Sequence, residues 1–114
     1  MSHSFRDLFS FQSAEVKQAF AMAVPLGYGR GFKLIKAPTT TPYSKLLIIT
    51  PRASGKAHDR NLIRRRAKAI FYAHASHQAP AIYILLVNKR ATECPFEKLQ
   101  AFLMAHTANP TPAP

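Results

Sequence analysis

Residues 55–74, GKAHDRNLIRRRAKAIFYAH, hold six Lys or Arg and one acid, yet aliphatic side chains recur through the whole segment. Like charges at helical spacing destabilise a helix by a few tenths of a kcal/mol per pair. A helix that keeps them needs its apolar side fixed by burial and its charged side matched to something outside the chain. Stepping about 100° per residue from Arg60, the side chains Phe71, Arg64, Lys68, Asn61, Tyr72 and Arg65 fall within roughly 140° of arc. Ile63, Ala67 and Ile70 fall in a separate arc of roughly 60°. The segment therefore predicts a helix with one stripe toward a core and one cationic stripe interleaved with aromatics. Arg66 lies off that stripe.

The rest of the chain supplies little negative charge to balance it. Sixteen Lys plus Arg stand against five Asp plus Glu, a net charge of +11. Asp59 is the only acid between Glu15 and Glu93. Solvated helix faces normally mix signs, so a one-sided balance points to a polyanionic partner, nucleic acid or an acidic membrane surface. A chain of 114 residues fits one domain, and a hydrophobic fraction of 47% argues against disorder. Cys94 is the only cysteine; it can form no intrachain disulfide and fits a reducing compartment. No apolar run approaches the roughly 20 residues of a spanning helix, and MSHSFRDLFSFQ lacks the apolar core of a secretory signal. The expected location is the cytoplasm.

Along the chain, SAEVKQAFAMAV places Val16, Ala19, Phe20 and Ala23 at helical spacing, with Ser13 as the expected N-cap. Pro25 and the glycines of PLGYGRG end that helix. FKLIKA reads as a strand, TTTP as a loop, and KLLIIT, stopped by Pro51, as a buried strand. PRASGKAHDRN leads into a helix over residues 59–74, which HQAP breaks. AIYILLVN is the strongest strand signal, KRATECP a turn, and PFEKLQAFLMAH an amphipathic helix with Pro95 near its first turn and an apolar stripe of Phe96, Leu99, Phe102 and Leu103. TANPTPAP, with three prolines, predicts an extended tail. The order helix, two or three strands, helix, strand, helix predicts a small α+β sandwich with helices on a short sheet, a domain over 1–106 and a flexible tail over 107–114.

The cationic segment suits phosphate. Arg presents a planar fork of donors that grips a phosphate bidentately, and Lys acts as a point charge. Asn61, placed in the first turn, either caps the helix, donates to a phosphate or accepts from a ribose 2′-OH. Gly55 permits a bend that lets Arg52 and Lys56 extend the stripe. Catalytic groups are sparse. The five carboxylates are scattered, with no pair at a spacing for acid/base work. His74 and His77 are three apart without a Cys or carboxylate beside them, His58 reads as a loop histidine, and Cys94 has no neighbouring His to make a nucleophile pair.

GKAHDRNLIRRRAKAIF resembles the signature of the bacterial ribonuclease P protein family, roughly G-K-A-x-x-R-N-x-x-K-R-x-x-R-E-x-F. Arg60 and Asn61 fall on its Arg-Asn pair, Arg64 stands for the usual Lys, Arg65 matches, and Lys68 stands for the third Arg. Arg52 and Lys56 match basic positions of the preceding loop. The resemblance is close over residues 45–104 and weaker over the first 40. It implies an α-β-β-β-α-β-α sandwich, similar to domain 2 of ribosomal protein S5, with a left-handed β-α-β crossover around the basic helix. It implies binding to a large catalytic RNA and to the 5′ leader of precursor tRNA, with Mg²⁺ held mainly by RNA, and it implies neither a membrane nor an obligate protein partner. Cleavage by Mg²⁺-assisted water attack would belong to the RNA.

The sequence departs from the pattern at Ala69, where the family has Glu, and at Ala81 and Ile82, near an Asp often found before the last strand. Of the family's leader-cleft aromatics Phe20 aligns with one, whereas Val16 and Ile35 replace two others. Taken alone Phe20 reads as a core residue, and Phe9, Phe11 and Tyr28 are candidates to restore lost stacking. A ribosomal or general RNA-binding protein shares the composition but not the signature spacing. A membrane-surface helix would need a wide apolar face with bulky aromatics, which Ile63, Ala67 and Ile70 do not make.

Overall fold

The computed structural model describes residues 6–29, 31–52, 55–74, 80–88 and 95–107. A single 3-10 turn at Asp7–Phe9 leads into α1 (Ser13–Met22), β1 (Val24–Gly29), β2 (Phe32–Ala37), β3 (Lys45–Ile49), α2 (Ala57–Ala73), β4 (Ile82–Val87) and α3 (Phe96–Thr107). The architecture is α+β, a four-stranded mixed sheet flanked by helices, in the order expected. The expected turn at 89–94, Cys94, His77 and tail residues 108–114 lie outside the described residues. Thr107, placed at the head of that tail, is the last residue of α3, buried with its hydroxyl donating to the Leu103 carbonyl.

The strands lie in the order β1-β2-β4-β3, with β1/β2 and β2/β4 antiparallel and β3/β4 parallel. A parallel neighbour needs a crossover, and α2 provides it between β3 and β4. Because side chains alternate across a strand, the sheet separates two apolar layers. Phe32, Leu34, Leu46, Tyr83, Leu85 and Val87 point toward α2 and α3, where they meet Ile63, Ala67, Ile70, Phe71, Leu99 and Leu103. Ile35, Ala37, Ile82 and Ile84 point the other way and meet Ala19 of α1. Each fully buried aliphatic or aromatic side chain contributes about 1.5–3 kcal/mol, so the first layer carries most of the stability.

Local chemistry corrects the sequence reading in places. The N-cap of α1 is Gln12, not Ser13, and the Gln12 N–H donates to Glu15 Oε1 at 3.5 Å. PLGYG does not merely stop α1 but forms most of β1. This strand lies at the edge of the sheet, where a proline removes no ladder bond, and its register shifts between Pro25 and Gly27. Its glycines let α3 approach: a Cβ on Gly27 would run into the His106 ring, and one on Gly29 would lie 3.1 Å from Phe102 Cδ2. Gly31, at φ 88°, turns the chain into β2 in a conformation that favours glycine.

Three rows of side chains cross the α1 face of the sheet. Ala37, Ile82 and Lys45 form the first; Ile35, Ile84 and Leu47 the second; and Tyr28, Lys33, Leu86 and Ile49 the third, spanning all four strands. Lys45 is tied to α1 by Glu15, at 3.0 and 2.8 Å from its two oxygens, and lies 4.4 Å from the Phe11 ring centre. That anchor holds α1 over the first two rows. The third row is open: Leu86 and Ile49 are half-buried and Tyr28 is 69% exposed.

Candidate nucleic-acid interface

α2 begins two residues earlier than expected, at Ala57, with Lys56 as N-cap. A lysine side chain has no acceptor, and no side chain caps this terminus, so the first backbone N–H groups remain as donors for an anion. Gly55, at φ 140°, makes the bend that the sequence assigned to it, and its N–H donates to the Arg52 carbonyl at 3.3 Å. Arg52 and Lys56 are both exposed beside that terminus.

The helix partitions by face. Ile63, Ala67 and Ile70 are buried, as their spacing predicts, and Phe71 joins them at 0% exposure. Phe71 therefore leaves the cationic stripe for the core. It lies only about 40° beyond Ala67 on the helix, and a core-facing stripe about 100° wide takes it in. Its ring meets Phe9 and Tyr83 edge-on, at 6.0 and 5.8 Å between centroids. Arg60 sits between Ala67 and Phe71 in angle, so it marks the border of the stripe and not its middle. It is half-buried, with Nε withdrawn from water and no hydrogen-bond partner.

Asn61, Arg64, Arg65 and Lys68 remain on the outward side. With α2 starting at Ala57, Asn61 lies past the first turn and is not a cap; it is exposed, and its Oδ1 accepts from Arg64 Nη1 at 3.4 Å. Arg65 is exposed, and the Lys68 ammonium lies 5.6 Å from the Phe9 ring centre. Arg66, off the stripe as expected, lies 6.0 Å from the Phe96 ring centre on α3. Among the described residues, none of Arg60, Arg64, Arg65 and Lys68 is ion-paired with a carboxylate. Phe9 and Phe96 escaped the sequence reading as anchors of these cations, because they meet α2 only through the tertiary fold.

The three expected leader-cleft residues lie around α1 and the sheet face beneath it. Ile35 is a floor residue, 8% exposed, Val16 is half-buried, and Phe20 is 42% exposed. The core reading of Phe20 is thus replaced by a surface ring. Phe11 is half-buried beneath Lys45 and Phe9 beneath Lys68, which leaves Tyr28 as the most exposed of the substitute aromatics. The burial of Tyr83 raises its phenol above the ordinary value of 10.0. No group of three His, Cys, Asp or Glu with metal-binding geometry occurs among the described residues. None of the helices in that set is long and apolar enough to cross a membrane, and the apolar stripe of α2 is spent on the core.

A family model described as Ribonuclease P matches residues 3–109. The chain is 33% identical over 67 residues to the ribonuclease P protein component of Onion yellows phytoplasma, covering 58% of this chain and 48% of that protein. It is 29% identical over 98 residues to that of Helicobacter hepaticus, covering 86% and 63%. The chain thus aligns with about half to two thirds of the length of these curated relatives. The fold is similar to that of a Staphylococcus aureus RNase P protein mutant with defective mRNA degradation activity, with a TM-score of 0.79 at 18% identity over 89% of this chain and 86% of that one. A family model spanning nearly the whole chain, on a fold of this topology with the Arg60-Asn61 signature on its exposed helix, leads to one conclusion: the chain belongs to the bacterial ribonuclease P protein family.

Proposed function

We propose that this chain is the protein subunit of a ribonucleoprotein endoribonuclease that removes the 5′ leader of precursor tRNA. The observation that carries the reading is the one-sided face of α2, where Asn61, Arg64, Arg65 and Lys68 point outward without carboxylate partners while Ile63, Ala67, Ile70 and Phe71 anchor the helix behind them. Arg60, Arg52 and Lys56 extend that face toward the open helix terminus. Such an array suits the phosphates of a folded catalytic RNA. Leader nucleotides would lie on the α1 side of the sheet, beside Val16 and Phe20 and above Ile35.

The proposal includes a division of labour between protein and RNA. It assigns Mg²⁺ to the RNA, as the family resemblance implies, and routes no chemical step through a protein ligand. The protein contributes affinity and orientation. The same proposal places the chain in the cytoplasm without an obligate protein partner, and includes a left-handed β3–α2–β4 crossover of the type found in ribosomal protein S5 domain 2.

Reconstitution tests it. Adding the protein to its cognate catalytic RNA at low Mg²⁺ is expected to restore 5′ processing of precursor tRNA. An RNA whose cleavage at low Mg²⁺ is unchanged by the protein would contradict the proposal, and a general RNA-binding role would then stand in its place.

A further inference from the structure

The third row of the open sheet face has two unlike ends. At one end Ile49 closes β3 and passes through Thr50 and Pro51 into the basic connection that carries Arg52 and Lys56. At the other, Tyr28 on the edge strand β1 stands directly opposite Lys33 of β2, and the Lys33 ammonium lies 5.5 Å from the centre of the tyrosine ring. Leu86 and Ile49 complete the row between them and the basic connection. The ring is 69% exposed, the largest exposure among the large hydrophobic side chains of the described residues. An aromatic ring that stays this open while holding a cation at its side is poorly explained by packing.

We propose that Tyr28 and Lys33 form a distal nucleotide seat, in which the tyrosine ring stacks on an unpaired base and the ammonium meets the adjoining phosphate. The occupant is the single-stranded leader RNA, an inference that rests on the functional reading above. Charge complementarity selects it. The row has a cation beside its outermost ring and joins the basic connection at its other end, within a chain of net charge +11. Three interstrand steps of about 4.8 Å give a track of about 14 Å, and a four-stranded sheet of this width takes two or three stacked bases in other RNA-binding folds. Tyr28 thus supplies, from the edge strand, stacking that the aliphatic Val16 and Ile35 do not offer on α1 and β2.

The seat predicts a dependence on leader length. The test measures the affinity of the protein–catalytic RNA complex for precursor tRNAs whose leaders lengthen one nucleotide at a time, with Tyr28→Ala, Tyr28→Phe and Lys33→Ala variants. The wild type is expected to gain affinity in increments, and Tyr28→Ala to lose one of them, by about five-fold or more. Tyr28→Phe keeps that increment, and Lys33→Ala lowers it and its salt dependence. Survival of every increment in Tyr28→Ala overturns the proposal. A uniform loss at all lengths, the shortest included, also overturns it, because the ring would then be structural. Concentration-dependent pairing of the free protein that Tyr28→Ala abolishes would assign the patch to a second copy of the chain instead. Failure of the wild-type complex to process any precursor would count against the functional reading itself, and is distinct from all these results.

Discussion

Lys45 is 6% exposed, its ammonium held by both Glu15 oxygens and lying over the Phe11 ring. Removing one partner of such a pair leaves the other charge without compensation. Glu15→Gln is expected to lower the unfolding free energy by about 1–3 kcal/mol, less than a fully buried pair because the Glu15 side chain keeps 27% exposure. Glu15→Gln with Lys45→Met should recover part of the loss in denaturant melts; a double variant no more stable than Glu15→Gln would contradict the pairing. Gly27→Ala would drive a methyl group into the His106 ring and is expected to cost about 1–3 kcal/mol, with α3 loosened in hydrogen exchange. At this scale Arg65, Lys68 and Arg66 were legible in the sequence, because helical spacing fixes their direction. Phe71 and Arg60 were not, since they lie at the edges of arcs, where the width of the core stripe decides the side and the sequence does not state that width.

Elements differ in how openly they announce themselves. IYILLV became β4 because a continuous run of large and β-branched side chains suits a strand covered on both faces, and five of its six residues are buried. α3 was legible from the spacing of Leu99 and Leu103, both buried. β1 was hidden, because Pro25 and the glycines are strand breakers by propensity and only the edge position and the approach of α3 make them fit. Among strand residues, Tyr83 carries a pH signature. Its phenol is pushed up by burial, so the folded state holds the proton while the unfolded chain releases it. Stability is then fully present below the unfolded value near 10 and falls as pH rises through and beyond it. Between pH 9 and 11 the unfolding free energy of the wild type is expected to fall more steeply than that of Tyr83→Phe, and parallel curves would refute the assignment. At the helix scale, the outward stripe of α2 was legible from the arginines, whereas its start at Ala57 behind a non-capping Lys56, and the anchors Phe9 and Phe96, became visible only with the tertiary fold.

Across the whole molecule, the two sheet faces differ in how completely they are covered. The layer beneath α2 and α3 is closed by large side chains, while the α1 face ends in an open row leading to the basic connection. With a chain so poor in carboxylates, protein freed of nucleic acid is expected to leave precursor tRNA uncut; cleavage that survives rigorous removal of RNA and contaminating nucleases would show chemistry on the protein. The proposed function requires that the outward cations of α2 and its border residue Arg60 neutralise RNA phosphates. The most direct measurement is the salt dependence of binding to the catalytic RNA, wild type against a variant with Arg60, Arg64, Arg65 and Lys68 replaced by Ala. Each lost phosphate contact reduces the slope of log affinity against log salt by about 0.7–0.9. A flatter slope and weaker binding with an intact fold are expected; an unchanged slope in the fourfold variant would contradict the proposed interface.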